Sequence, residues 1–158
     1  DRDDIDLVIA GRQGWHCGPI LDSFRNARRA GQIRHLDDVT DAELPALYAG
    51  ARLFALASRY EGFGFPPLEA MACGTPVVTA PAGAVAEVVG DAACIVAANE
   101  AGAWRAALAG LLDVPERCAQ LTAAGLGQVR RYRWAETARQ TLNVYRHVLG
   151  LQGVEGAA

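Results

Sequence analysis

The sequence contains no lysine; all 15 of its basic residues are arginine, a bias that a GC-rich genome accounts for. Its four cysteines, Cys17, Cys73, Cys94 and Cys118, form no C-x-x-C pair and have no histidines at metal spacing. No metal-ligand cluster is therefore expected. Scattered single cysteines fit a reduced, cytosolic protein, with Cys73 packing rather than reacting. No apolar run reaches the roughly 18 residues of a membrane span. The acidic start, Asp1 to Asp6, carries no signal-peptide pattern. Net charge is only −3, which argues against a strong pull toward nucleic acid or an anionic membrane. Internal repeats and low-complexity segments are absent.

What is present suits one globular domain with a real core: 158 residues, 51% of them hydrophobic. The chain turns on Glu61 to Gly74, EGFGFPPLEAMACG. One apolar run, Leu53 to Ala57, leads in; another, Pro76 to Ala80, leads out. Strand, glycine-bearing loop, short helix and strand make the unit of an open parallel sheet. Ligands of such sheets bind beyond the carboxyl ends of the strands, where this loop lies.

The residue types suit a phosphate and a polyol. Gly62 and Gly64 let backbone approach a ligand. Pro66 and Pro67 suit the first turn of a helix, and the N–H groups that follow are expected as free donors at its positive end. Glu61 and Glu69, eight residues apart, place one carboxylate before the helix and one in its first turn. Pyrophosphate on amides, with a carboxylate for the sugar on each side, is one reading. A purely structural reading also holds. A first-turn glutamate gains about 0.3–1 kcal/mol from the helix dipole without any ligand, and Gly74 is an ordinary helix stop.

The stretch SRYEGFGFPPLEAMACGTPVV resembles the signature of the retaining, group 1 glycosyltransferases, whose GT-B architecture has two Rossmann-like domains. The shared pattern is E-x7-E, with EGFG after the first glutamate and EAMA-x-G-x-P-V-V from the second. It is far more specific than a lone glycine motif. The resemblance runs from about Leu7 to Leu149. It implies that Glu69 binds the nucleotide ribose and that Glu61, the catalytic residue, contacts the donor sugar. It implies that amides from Gly62 through Phe63 and Gly64 to Phe65 face sugar and phosphates, with Leu68 beside them. Asp38 and Val39, in a loop with Asp37, would cup the base.

Five strands are expected, near residues 5–10, 33–36, 53–57, 76–80 and 93–97. The first reads as a buried parallel strand. A helix opening at Pro19 is expected to run to Gly31, with Arg25, Arg28 and Arg29 on a solvated face. His35 reads as structural. Thr40-Asp41-Ala42-Glu43 matches a capping box, and Pro45 suggests a helix start a residue or two later. Asn99 can cap a helix through Leu112. Pro115 opens another, reaching about Arg131, whose second half Gly125 and Gly127 weaken. A last helix, Trp134 to Leu149, stops at Gly150; the family has a tryptophan near its start. Residues 151–158 read as a disordered tail.

The family's donor domain begins with one more strand and helix, which carry an arginine and a lysine for the diphosphate. That unit is expected before Asp1, and the lysine is absent from this chain. Residues 1–150 therefore read as a donor-binding, Rossmann-like domain lacking its first strand and helix. The fold class is α/β: an open parallel sheet with helices on both faces. Five strands could close the gap in the order 2-1-3-4-5.

The resemblance implies transfer of a sugar from a nucleotide diphosphate donor, with no metal and no cofactor. GDP-mannose is the favoured donor and a mannosyltransferase of surface-polysaccharide assembly the favoured class; UDP-sugars stay open. The acceptor, a glycan or a lipid-linked glycan, would sit on an N-terminal domain that is not here. A cytoplasmic location is expected, peripheral to the inner membrane for the whole enzyme. The alternative is a non-catalytic nucleotide-binding or interaction module. A signalling receiver is disfavoured: it needs a lysine ending its fifth strand and an aspartate ending its third, where this chain has Ser58.

Overall fold

The computed structural model describes residues 2–27 and 29–151. The chain divides into two compact units, Asp1–Ala46 and Leu47–Ala158.

The first unit holds strand β1 (Leu7–Ala10), helix α1 (Gly18–Arg25), a 3₁₀ turn (Ala30–Gln32) and strand β2 (Ile33–Leu36). The strands pair in parallel, from Leu7 opposite Ile33 to Ala10 opposite Leu36. Their carboxyl ends are tied together. The Gly11 N–H donates to the Leu36 carbonyl at 3.0 Å, and His35 Nε2 lies 2.9 Å from the Gly11 carbonyl oxygen. His35 is thus a structural histidine.

Two expectations fail here. Helix α1 stops at Arg25, well short of Gly31. Arg25 pairs with Asp22 on the exposed surface, and Arg29 bonds Asp3 and the Arg2 carbonyl. Arg28 lies outside the described residues. Strand β1 is parallel but not buried, with Leu7 52% and Val8 46% exposed. So short a unit encloses little core, and α1 buries none of its residues.

Helix α2 (Leu44–Gly50) begins as the proline requires. Glu43 Oε2 accepts from the Thr40 N–H at 2.9 Å and from its hydroxyl at 2.7 Å, which fixes the turn before the helix. Pro45 then falls in the first turn, where its missing N–H costs nothing.

The second unit holds β3 (Phe54–Leu56), α3 (Phe65–Ala72), β4 (Val77–Thr79), α4 (Val85–Val89), β5 (Ala93–Ile95), α5 (Ala101–Asp113), α6 (Pro115–Val129) and α7 (Trp134–Val148). Its three strands form a parallel sheet in the order β3-β4-β5. The middle strand is wholly buried, as its unbroken apolar run demands. Side chains alternate across it. Val77 enters a core with Leu68, Met71, Val85 and Val89; Val78 enters another with Val96 and Leu111. Helices α3 and α4 thus cover one face and α5 the other.

Helix α3 ends as Gly74 foretells. Gly74, at φ +80°, donates to Met71, and Thr75 donates to Ala70, the paired bonds of a left-handed glycine cap. Gly150 ends α7 in the same way, through bonds from Gly150 to His147 and from Leu151 to Arg146. Helix α6 runs to Val129, close to the expected end, and Gly125 is buried where a Cβ would stand 2.9 Å from Met71 Cγ. Close helix packing, not weakness, is what that glycine provides. The α5 N-cap is Glu100 rather than Asn99. Helix α7 buries none of its residues. Residues 152–158 of the expected tail lie outside the described residues.

The parallel α/β architecture is as expected, and so are the pairings 2-1 and 3-4-5. The single five-stranded sheet is not: among the described residues no ladder joins β1 to β3. Water can satisfy the free edge of an exposed strand such as β1, so no unmet hydrogen bond forces such a closure.

Candidate functional site

The loop from Ala57 to Gly64 leaves the carboxyl end of β3, and the turn after β4 fixes its path. Gly83 has φ +56°, and a Cβ there would stand 2.2 Å from the Glu61 carbonyl oxygen. Gly64 has φ +101°, and a Cβ there would stand 2.9 Å from Val85 Cγ2. Both contacts need glycine: the backbone is left-handed and there is no room for a side chain. A buried Gly64 is also the N-cap of α3.

This wedge fixes the main chain at Glu61. Glu61 as a residue is half-buried, and among the described residues its carboxylate has no hydrogen-bond or ion-pair partner. The N–H groups of Gly62, Phe63, Gly64 and Phe65 likewise donate to no carbonyl among the described residues. The sequence reading expected the free helix donors after the prolines. They stand before them instead. Pro66 and Pro67 are the second and third helical residues and have no N–H, so Gly64 and Phe65 keep the unused donors of this terminus. Gly62 is exposed, and a Cβ there would meet nothing within 4 Å.

Two aromatic rings of the loop are braced from the junction of α6 and α7. Phe63 and Tyr132 pack in a T shape with ring centroids 5.8 Å apart, and Phe65 stacks on Trp134 at 6.1 Å. Tyr132 is itself tethered, its hydroxyl donating to the Val88 carbonyl at 3.1 Å. Gln128 Nε2 donates to the same carbonyl at 2.7 Å.

Glu69 is exposed and opens the second turn of α3, not the first as expected. Its Oε2 accepts a hydrogen bond from the Tyr48 hydroxyl at 3.0 Å. Leu68 turns its side chain into the core at 8% exposure, so only its main chain is left to line a ligand. Asp38 and Val39 belong to the first unit, in the loop leaving β2. Asp38 Oδ1 lies 3.5 Å from Arg12 Nε, both side chains strongly exposed. The Gln13 N–H donates to Asp37 Oδ1 at 2.9 Å, tying that loop to the one leaving β1.

A shallow hollow of about 650 Å³ lies beside the carboxyl ends of β3 and β5, lined by Ala57, Arg59, Ala98, Asn99, Ala101 and Trp104. Among the described residues, no group of three or more His, Cys, Asp and Glu is placed to hold a metal ion.

Two positions escape a sequence reading. Gly83 reads only as a turn residue, since its contact with Glu61 is made across the fold. Tyr48 reads as an inward-facing residue of α2. A signal did exist for it: a phenol packed inward needs a partner for its hydroxyl, and an acid on a neighbouring helix is a natural one.

The family described as glycosyl transferases group 1 matches residues 1–127. The O-antigen chain mannosyltransferase B of Escherichia coli is 39% identical over 140 residues, covering 89% of this chain and 37% of that protein. The C-terminal domain of a glycosyl transferase group 1 family protein (LpcC) from Francisella tularensis superposes with a TM-score of 0.70 at 25% identity, covering 80% of this chain and 69% of that one. Anabaena Alr3699/HepE, solved in complex with UDP-glucose, superposes with a TM-score of 0.84 at 19% identity, over 92% of this chain and 42% of that one. The chain spans little more than a third of the length of the curated relatives it matches.

Proposed function

The chain belongs to the group 1 glycosyltransferases, and from that premise we propose that it holds the nucleotide diphosphate sugar during a retaining sugar transfer. The observation that carries this is the wedge at Gly83: it fixes the main chain of Glu61, and the N–H groups of the four residues that follow donate to no carbonyl among the described residues. The hard step is departure of the nucleoside diphosphate. Charge grows on its phosphate oxygens as the bond to the sugar breaks. The N–H groups from Gly62 to Phe65 stabilise that charge without reorganising, the most effective form of electrostatic catalysis. Glu61 orients the sugar as positive charge develops on its ring. Glu69 anchors the ribose. No protein nucleophile is assigned and no step is given to a metal ion; a chelator is expected to leave transfer unchanged.

The likeness to a mannosyltransferase supports GDP-mannose as donor. The fold is shared with a protein solved with UDP-glucose, which makes the UDP-sugars the comparison to run. The acceptor is a glycan or lipid-linked glycan, bound by a further domain, since the relatives are far longer than this chain. No helix among the described residues is long and apolar enough to cross a membrane. We place the enzyme in the cytoplasm, with the full-length protein peripheral to the inner membrane.

Transfer of radiolabelled mannose from GDP-mannose by the intact protein tests this. Wild type transfers with retained anomeric configuration, and Glu61→Gln loses about a hundredfold or more. Unchanged turnover in Glu61→Gln overturns the role of that residue. The second reading is nucleotide binding without transfer, and wild-type turnover decides between the two.

A further inference from the structure

We infer that Tyr48 is a positioning residue for the nucleoside end of the site, acting through Glu69; this rests on the reading of Glu69 as the ribose carboxylate. Tyr48 is held at three points. Its ring meets Phe54 edge-on at 5.5 Å. Its carbonyl accepts a hydrogen bond from Thr75 Oγ1 at 2.5 Å, immediately after the glycine that ends α3. Its hydroxyl donates to Glu69 Oε2 at 3.0 Å. The first two contacts fix α2 against β3 and the end of α3, and the third uses that fixed point to orient an otherwise exposed side chain.

The chemistry suits recognition of a vicinal diol. An ionised carboxylate has about four acceptor sites on its two oxygens. The phenol takes one of them and leaves the whole of Oε1 free. A carboxylate already held in one rotamer loses less freedom when sugar hydroxyls bind it. Tyr48 also stays a donor at every working pH. Burial raises its pKa well above the ordinary 10.0, and the hydrogen bond it donates to Glu69 adds to the rise. Phenylalanine at this position would keep the ring contact and lose only the hydroxyl.

The test is calorimetric titration of wild type and Tyr48→Phe with GDP and with its dideoxyribose analogue. Wild type is expected to prefer GDP. Tyr48→Phe is expected to bind GDP about three- to tenfold more weakly, to bind the analogue as wild type does, and to melt close to wild type. Glu69→Ala is expected to remove the preference and to make Tyr48→Phe silent in the double variant, because the two act as one unit. Equal losses for both nucleotides, or no loss for either, would overturn the inference while leaving Glu69 in place. A wild type that does not distinguish the two nucleotides, or binds neither, would overturn the ribose reading and the inference with it.

Discussion

A side chain at Gly83 would place its first carbon 2.2 Å from the carbonyl oxygen of Glu61. The turn that leaves the central strand therefore sets the position of the residue proposed to orient the sugar. Gly83→Ala forces a left-handed alanine and a backbone clash at once. A strained backbone of this kind costs about 1–3 kcal/mol, a fall of several degrees in Tm. We predict that Gly83→Ala loses transfer more than it loses nucleotide affinity, since the loop donors shift with Glu61 while Glu69 and Tyr48 stand on other elements. Activity and affinity that fall together would break the link between Gly83 and Glu61.

Gly125 and Gly127 lie two residues apart on α6 and predict opposite outcomes. A Cβ at Gly125 meets Met71 Cγ at 2.9 Å and Cβ at 3.2 Å, near the root of that side chain, where little can give. Overpacking costs about 1–3 kcal/mol and outweighs the roughly 1 kcal/mol that alanine gains in a helix. At Gly127 nothing lies within 4 Å, so alanine keeps its helix gain. Urea denaturation should show Gly125→Ala destabilised and Gly127→Ala stabilised by about 0.4–1 kcal/mol. A stabilised Gly125→Ala would contradict the tight contact between α3 and α6.

Helix α7 carries an acid-sensitive start. Arg139 holds Glu136 through two hydrogen bonds, of 2.8 and 2.5 Å, and Gln140 adds a third. Arg139 first and Gln140 second lower the Glu136 pKa from 4.5 to about 2. A folded-state pKa below the unfolded value gives stability that is present above pH 4.5 and lost as pH falls toward 2. The far-UV helical signal should therefore weaken across that window in wild type, and less so in Glu136→Gln. Identical acid profiles would show that these bonds contribute nothing in solution.

Much of the fold was legible because its signals are local. The runs around Leu7, Ile33, Phe54, Val77 and Ala93 all became strands, and Gly74 and Gly150 stop their helices as such glycines do. Misjudged features depend on what surrounds them. Apolar Leu7 and Val8 read as buried, yet the unit that holds them has too little core to cover them. Gly125 read only as a weak point of its helix because sequence does not show Met71 facing it. The loop from Glu61 to Phe65, between strand and helix, was legible in the motif. The devices that fix it were not, because Gly83, Tyr132 and Trp134 reach it from distant positions in the chain.

The central claim is that the glycine-rich loop and Glu69 form the nucleotide site of a sugar donor. Calorimetric titration of this chain with GDP, UDP and ADP, in wild type and in Glu69→Ala, tests it most directly. The account predicts binding selective for GDP that Glu69→Ala weakens by about tenfold or more, the cost of losing a hydrogen bond to a charged group. Undiminished affinity in Glu69→Ala, or no binding of any of the three by wild type, would contradict it.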